Sequence, residues 1–342
     1  MEQLRKDLLD LVAVPGPSGF EQEVARTIRE KIEPFAARVE TDGIGNLLAY
    51  RDGPADSPLL MVMAHMDEVS MVVTSTHGGF VRFEFVGSIN PAAIVGQPLL
   101  ILTESGPVPG VTCSPSFHLG QKVDRPWLDV GGRIDRVEPG DPIVFDTQAR
   151  WLDEDMKILA CKALDDRSGC AVLIDTARRL KDTELGIRVC FAFTVQEEVG
   201  ARGAFYAARA VHPKWVVAVD NAYATDAQLG RDMAMTLGTG PVIRRFEMLA
   251  AGRGTYINFS DPWLVKMLRT AAEQAGLPYA VDARFNLYTD AAGANGAWPD
   301  IGAASVSAPR RYSHSPYEVT HLDGLQNEAV LLAAFLESFG NK

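Results

Sequence analysis

The feature that most constrains this chain is a recurring one: apolar, strand-like runs that end at an acidic residue or a histidine. Residues 59–64 (LLMVMA) lead into His65-Met66-Asp67-Glu68, and residues 188–195 (RVCFAFTV) lead into Gln196-Glu197-Glu198. Residues 215–219 (WVVAV) lead into Asp220, and residues 303–308 reach His314 through a short basic loop. Residues 162–169 (KALDDRSG) set Asp165 and Asp166 just ahead of an expected helix. In open α/β folds the side chains at the carboxyl ends of neighbouring strands meet in one crevice. Two histidines and several carboxylates in such a crevice make the nitrogen and oxygen ligand set that zinc, cobalt or manganese accepts. A dinuclear metal site is therefore the leading expectation.

The organisation around these runs is uneven. Ser18-Gly19-Phe20-Glu21 reads as a capping box, and Val24, Ile28 and Ile32 follow at helical spacing, so a helix is expected from about Phe20 to near Pro34. Extended runs are expected around Val39 and over 47–51. Between about 69 and 158 short β-rich runs (79–86, 98–103, 141–145) are punctuated by Gly and Pro without a helix period, which reads as a small all-β unit. Helix and strand patterns then alternate: helices over 170–180, 201–210, 261–275 and 325–339, strands over 187–195, 215–219 and 303–308. Such alternation implies a sheet with helices on both faces. The simplest division is an α/β domain made of 1–68 and 159–342, interrupted by an inserted β unit over 69–158.

Composition narrows the function classes. With 342 residues the chain can bury a sizeable core, and its net charge of -11 argues against non-specific nucleic-acid binding, which needs a positive patch. The N-terminal MEQLRKDLLDLV alternates charge with leucine and lacks a signal peptide's apolar core; no stretch approaches the ~18 apolar residues of a membrane span. The cysteines Cys113, Cys161, Cys170 and Cys190 form no CxxC pair, so a cytoplasmic protein with reduced thiols is expected, with no membrane or nucleic-acid partner. Cys161 and Cys170 flank KALDDRSG, but buried apolar packing is the more ordinary role for cysteine.

Each motif has a plainer alternative. A carboxylate at Asp67 can accept the second ring N–H of His65 and fix its tautomer, although the pair also fits an incidental polar strand end. Asp165-Asp166 fits a bridging carboxylate and its neighbour, and equally a helix N-cap. Glu197-Glu198 could divide the roles of base and ligand, or favour the start of the next helix through its dipole. The adjacent pair does not suit a glycosidase, whose carboxyls stand roughly 5–9.5 Å apart across the scissile bond. His314 gains meaning only from the others, whereas His77, His118, His212 and His321 have the context of surface residues. No Gly-x-Ser-x-Gly elbow, Walker loop or Rossmann glycine fingerprint is present, and Gly238-Thr239-Gly240-Pro241 reads as a tight turn.

With HMDE, KALDDRSG, VQEEVGARGA and RYSHSP in this order, the chain resembles the glutamyl/leucyl/deblocking metallo-aminopeptidases of family forty-two. These proteins form tetrahedral assemblies, and some carry an endoglucanase label. The resemblance spans nearly the whole chain. It implies a phosphorylase/hydrolase-like α/β fold of the zinc exopeptidase type, a mixed-sheet sandwich with helices on both faces and a small inserted β-barrel-like domain. It also implies that His65, Asp165 and Asp220 hold one metal ion and that Asp165, Glu198 and His314 hold the other, zinc foremost, with cobalt or manganese as alternatives. Glu197 is then the general base, Asp67 orients His65, and Asp166 follows the bridging residue through a cis peptide. The implied partners are peptide substrates and further copies of the chain, in dimers that build a dodecamer through the inserted domain. The segments 89–95 and 107–111 look exposed and apolar enough to be covered in this way. Asp220-Asn221-Ala222-Tyr223, Tyr288-Thr289-Asp290-Ala291, residues 286–295 and Arg244-Arg245 depart from the family pattern and are expected to shape the substrate pocket. Other readings of the same residues are an N-acyl-amino-acid deacylase or carboxypeptidase, and a non-catalytic metal-binding scaffold.

Overall fold

The computed structural model describes residues 1–114, 118, 126–226, 235–251 and 254–340. The chain begins with α1 (Glu2–Val12), α2 (Gln22–Ile32), β1 (Arg38–Thr41), β2 (Leu47–Arg51) and β3 (Leu59–His65). It then enters β4 (Ser70–His77), β5 (Phe80–Val86), β6 (Pro98–Thr103), β7 (Gly106–Thr112), β8 (Trp127–Asp129) and β9 (Pro142–Phe145). The remainder runs through β10 (Arg150–Asp153), β11 (Ile158–Cys161), α3 (Leu164–Arg179), β12 (Arg188–Thr194), α4 (Arg202–Val211), β13 (Trp215–Tyr223), β14 (Val242–Ala251) and β15 (Gly254–Phe259). It ends with α5 (Pro262–Gln274), β16 (Ala280–Phe285), α6 (Asp290–Ala297), β17 (Gly302–Arg311), β18 (Glu318–His321) and α7 (Leu322–Glu337).

Twelve strands form one mixed sheet whose main path is β1-β2-β12-β3-β13-β17-β18-β11-β10, and β14 to β16 branch from β17. The four central strands β12, β3, β13 and β17 are parallel, so their carboxyl ends open on the same side. Strand residues alternate between two cores. Leu60, Val62 and Ala64 pack with α1, α2, α3, α5 and α7, while Met61 and Met63 face α4 and α6. The runs read as continuously apolar because both faces of the sheet are covered. On α2, Val24, Ile28 and Ile32 are fully buried, and each such side chain contributes roughly 1.5–3 kcal/mol.

Strands β4 to β9 close into a separate six-stranded barrel, β4-β5-β8-β7-β6-β9, with its own apolar core. Strand β10, inside the span 69–158, pairs with β11 in the large sheet instead. The two apolar segments expected at the surface are divided: Ile89, Ile94 and Val108 belong to the barrel core, while Pro91, Ala92, Pro107, Pro109 and Val111 face outward. In β7 the pleat, which sends neighbouring side chains to opposite faces, accounts for that split.

The helix after Ser18 starts two residues late, at Gln22, and Ser18 does not cap it. Its hydroxyl instead donates to Asp67 Oδ2 at 2.6 Å. Glu21 turns one oxygen, Oε1, to the backbone N–H groups of Gly19 (2.8 Å) and Gln196 (3.0 Å), tying this corner to the loop after β12. Burial, with Asp67 nearby, pushes its carboxyl up to about 7. A carboxyl that binds its proton more tightly in the folded state favours folding fully below the unfolded value and loses that contribution as pH rises through the folded one. Glu21→Gln keeps the accepting oxygen and removes the charge. The wild type should therefore lose stability relative to Glu21→Gln as pH rises from about 4.5 to 7, in urea denaturation at several pH values; parallel curves would count against it.

Candidate active site

The carboxyl ends of the parallel strands bring the expected residues together. His65 is the last residue of β3, beside Thr194 at the end of β12. Asp220 lies inside β13, which continues to Tyr223 rather than stopping at Val219, and His314 follows the end of β17 at Arg311. Asp165 and Asp166 precede the regular part of α3, have non-helical backbone angles and are joined by a cis peptide. Asp166 does cap the regular part of α3, its Oδ1 accepting the N–H of Gly169 at 2.9 Å, and a Cβ at Gly169 would meet the Asp166 carboxylate at 2.3 Å, whereas Asp165 is left to face the histidines. His65, Asp165, Glu197, Glu198, Asp220 and His314 line one cavity of about 650 Å³. A larger cleft of about 950 Å³ lies at the opposite ends of β3 and β12 and contains none of them.

Asp165 stands between the two histidines. Its Oδ1 is 3.2 Å from His65 Nε2, and its Oδ2 is 3.1 Å from His314 Nε2. Glu198 Oε1 lies 3.4 Å from His314 Nε2, and Glu197 Oε2 lies 4.0 Å from His65 Nε2. Two groups have ligand atoms within 4.8 Å of one another, His65–Asp165–Glu198 and Asp165–Asp166–Asp220. They divide the residues differently from the expected sets, but Asp165 is common to both.

The histidine tautomers follow from their partners. His65 Nδ1 faces the carbonyl oxygen of Asp67 at 3.2 Å and Asp67 Oδ1 at 3.3 Å, so it carries the hydrogen and Nε2 is left toward Asp165. His314 Nδ1 donates to the carbonyl of Ser88 at 2.7 Å, which leaves its Nε2 facing the cavity. Asp67 also accepts the N–H groups of Glu197 (2.9 Å) and Glu198 (3.2 Å), so one carboxylate fixes both the ring and the acidic loop.

The electrostatics are those of a site short of positive charge. Burial drives the carboxyls of Glu197 and Asp166 well above their usual range, Glu198 to about 7 and Asp220 to about 8. Burial opposes charging of His314, yet Glu198 and Asp165 outweigh it and raise the imidazole to about 10. Against its own burial, Asp165 is held well below the usual range by Arg310 and the two histidines. Clustered buried carboxylates cannot all ionise without cations among them. Glu198 Oε1 and Asp166 Oδ2 are buried without a hydrogen-bond partner, as oxygens reserved for an ion are. The donor set and these orphaned atoms fit divalent metal ions.

Several contributors have no signature in the sequence. Arg310 Nη2 donates to Asp165 Oδ2 at 2.7 Å. Glu318 accepts the N–H groups of Asp165 (2.9 Å) and His314 (2.7 Å), and its position four residues after His314 is the one signal available for it. Ser88 belongs to the barrel, nearly as far from His314 in sequence as any residue of the site. Tyr288 donates from its hydroxyl to the carbonyl of Glu197 at 2.8 Å and lines the cavity with Arg284, Asn286 and Leu287, as the unusual 286–295 segment suggested. Tyr223 and Asn221 line it also. Arg244 does not: it is fully buried against Asp282 at 3.2 Å, and Arg245 is exposed elsewhere. Cys161 and Cys170 are free and buried; the Cys170 thiol donates to the carbonyl of His65. His321, expected at the surface, is half-buried and caps α7 through the N–H of Asp323. Among the described residues eight non-glycine positions have positive φ, and six of them (Ala163, Gln196, Ala201, Asn286, Tyr312, His314) sit in the loops around the cavity. Strained backbone gathers where side chains must be aimed.

Known proteins share this fold over nearly its whole length. The family model of the M42 glutamyl aminopeptidases matches residues 45–331. The lysyl aminopeptidase of Pyrococcus furiosus is 28% identical over 351 residues, covering 96% of this chain and 95% of its own. An aminopeptidase of Desulfurococcus kamchatkensis superposes with a TM-score of 0.90 at 29% identity, over 98% of this chain and 95% of its own. The TET1 peptidase of Pyrococcus horikoshii, described as able to assemble into a tetrahedron or a large octahedral shell, superposes with a TM-score of 0.83 at 30% identity, over 97% and 99%. With the family model matched over residues 45–331 and relatives covered almost from end to end, the chain belongs to the M42 aminopeptidase family of peptide-bond hydrolases.

Proposed function

We propose that the chain is a dinuclear metal-dependent aminopeptidase that releases N-terminal residues from short peptides. The observation that carries this reading is Asp165 between His65 and His314, with one carboxylate oxygen turned to each ring. His65, Asp165 and Asp220 would hold one divalent ion and Asp165, Glu198 and His314 the other. Zinc suits these ligands best, and cobalt or manganese is also accepted. Two such ions supply Lewis acidity toward a peptide carbonyl and make a water acidic near neutral pH.

The chain's own residues do the rest. Glu197 takes the proton of the attacking water and returns it to the nitrogen of the departing peptide, a role suited to a carboxyl that burial has made more basic. Asp67 keeps the His65 ring in its tautomer and, through the N–H of Glu197, holds the base beside it. The walls from Arg284 to Tyr288 bound the space open to the first side chain of a substrate. We assign 1–68 with 159–342, and with them β10, to catalysis, and the barrel that makes up the rest of 69–158 to assembly. A homo-oligomer is supported by the likeness to TET1 peptidase structures, one of them described as a dodecamer, and we take a dodecamer built from dimers as its closed form. Exposed apolar side chains of the barrel such as Phe80 and Val111 offer surface for such contacts. The four free cysteines fit a reducing, cytoplasmic setting.

Chelation should abolish hydrolysis of aminoacyl anilides, and zinc, cobalt or manganese should restore it. N-acyl amino acids should remain uncleaved; their turnover at comparable rates would favour the deacylase reading. Glu197→Gln should keep its ions while losing roughly 10²–10⁴-fold in rate, the usual cost of a lost general base. Asp165→Ala should lose the ions themselves, read by elemental analysis, and the reverse pattern would exchange the two roles. Light scattering should report a particle many times the 37.1 kDa chain, and a stable, active monomer would rule the assembly out.

A further inference from the structure

One cation is already present in the site as part of the chain. Arg310 is fully buried at the end of β17 and donates from Nη2 to Asp165 Oδ2 at 2.7 Å and to Ser313 Oγ at 2.5 Å. Its Nη1 donates to Glu318 Oε1, and Glu318 in turn accepts the N–H groups of Asp165 and His314. The guanidinium is thus anchored to the same frame that carries the proposed ligands, and it cannot reach solvent without breaking that frame. Its placement is one-sided. Oδ2 is the oxygen turned to His314, whereas Oδ1, turned to His65, has no arginine or lysine on it. Among the described residues no lysine or arginine lies within ion-pair distance of Asp220 or Glu198, although the charges of Arg244 and Arg310 act on Asp220 from farther away.

We propose that Arg310 is a resident cation that weakens the His314–Glu198 position, so that the chain holds its first ion tightly beside His65 and Asp220 and takes the second reversibly. Asp165 Oδ2 already has a full positive charge at hydrogen-bond distance. An ion arriving there shares that oxygen with the guanidinium and is repelled by it, while an ion on the Oδ1 side is screened by the carboxylate itself. The proposal rests on the two-ion reading above and concerns the difference between its two positions.

The test is a binding measurement that needs no turnover. Full-length protein, stripped of metal by a chelator, is titrated with cobalt(II) in a calorimeter, and bound ions are counted by elemental analysis after gel filtration. The wild type should bind in two steps separated by roughly tenfold or more, a modest effect for charges this close even at an effective dielectric of about 20. Arg310→Met should narrow the gap by tightening the second step more than the first, since Asp165 is shared by both positions, and Arg310→Lys, which keeps the charge, should retain more of the gap. Arg310→Gln, which keeps a donor for Glu318, serves the same purpose if the methionine variant does not fold. One ion in the wild type and two in the neutral variant is the same result at its limit. Coincident steps in the wild type, or a gap unchanged in the neutral variant, would overturn the proposal. At most one ion in every protein at saturation would instead remove the two-ion reading beneath it.

Discussion

The constraint on which this structure depends is the repulsion among carboxylates that the fold gathers at the ends of four parallel strands. Glu197, Glu198, Asp165, Asp166 and Asp220 share one crevice; burial and neighbouring acids make four of them harder to ionise, and Asp165 alone is kept ionised by Arg310 and the two histidines. Such an arrangement is costly for an empty protein and favourable once positive charge is distributed through it. The two imidazoles and the Arg310 guanidinium supply part of that charge from within the chain. What remains is a place for ions.

Holding the acids in position against their repulsion requires a stiff surround, and the surround is built from polar groups with all their contacts directed inward. Arg167, fully buried behind the site, donates to the carbonyls of Met66, Leu11 and Val14 and so joins the first helix to the turn that carries Asp67. Lys162 and Glu68 form a buried pair at 2.7 Å just beside it. Asn46 accepts the N–H of Val195 and donates to the carbonyl of Gly203, bracketing the loop of Glu197 and Glu198 from both ends. Losing one member of such a set leaves its buried partner unsatisfied, which commonly costs more than the bond itself contributed.

How much of this was readable beforehand depends on distance along the chain. The apolar runs were legible because a strand covered on both faces admits little else, and the residues after them were legible because chemistry collects at such ends. Residues that act through a neighbour in space were not. Ser18 sits in what reads as a capping box, yet Asp67 takes its hydroxyl, so a local pattern yields to a contact 49 positions away. Arg310 looks like an ordinary basic residue in a loop until β17 is seen to extend through it to Arg311. Alternation halves the apolar surface expected over 107–111, where Val108 and Gly110 point into the barrel and Pro107, Pro109 and Val111 point out, so that surface is narrower than the letters suggest.

The carbonyl of Ser88 gives the small barrel a stake in the chemistry of the large domain. That oxygen is the acceptor for Nδ1 of His314, and so it decides which nitrogen of the ring is left to face the cavity. A shift of the barrel by about an ångström would lengthen a 2.7 Å bond past usefulness and free the ring to turn. The barrel and the catalytic crevice are therefore mechanically one device: whatever steadies the first, including neighbours packed against its outer face, also steadies a histidine at the heart of the second.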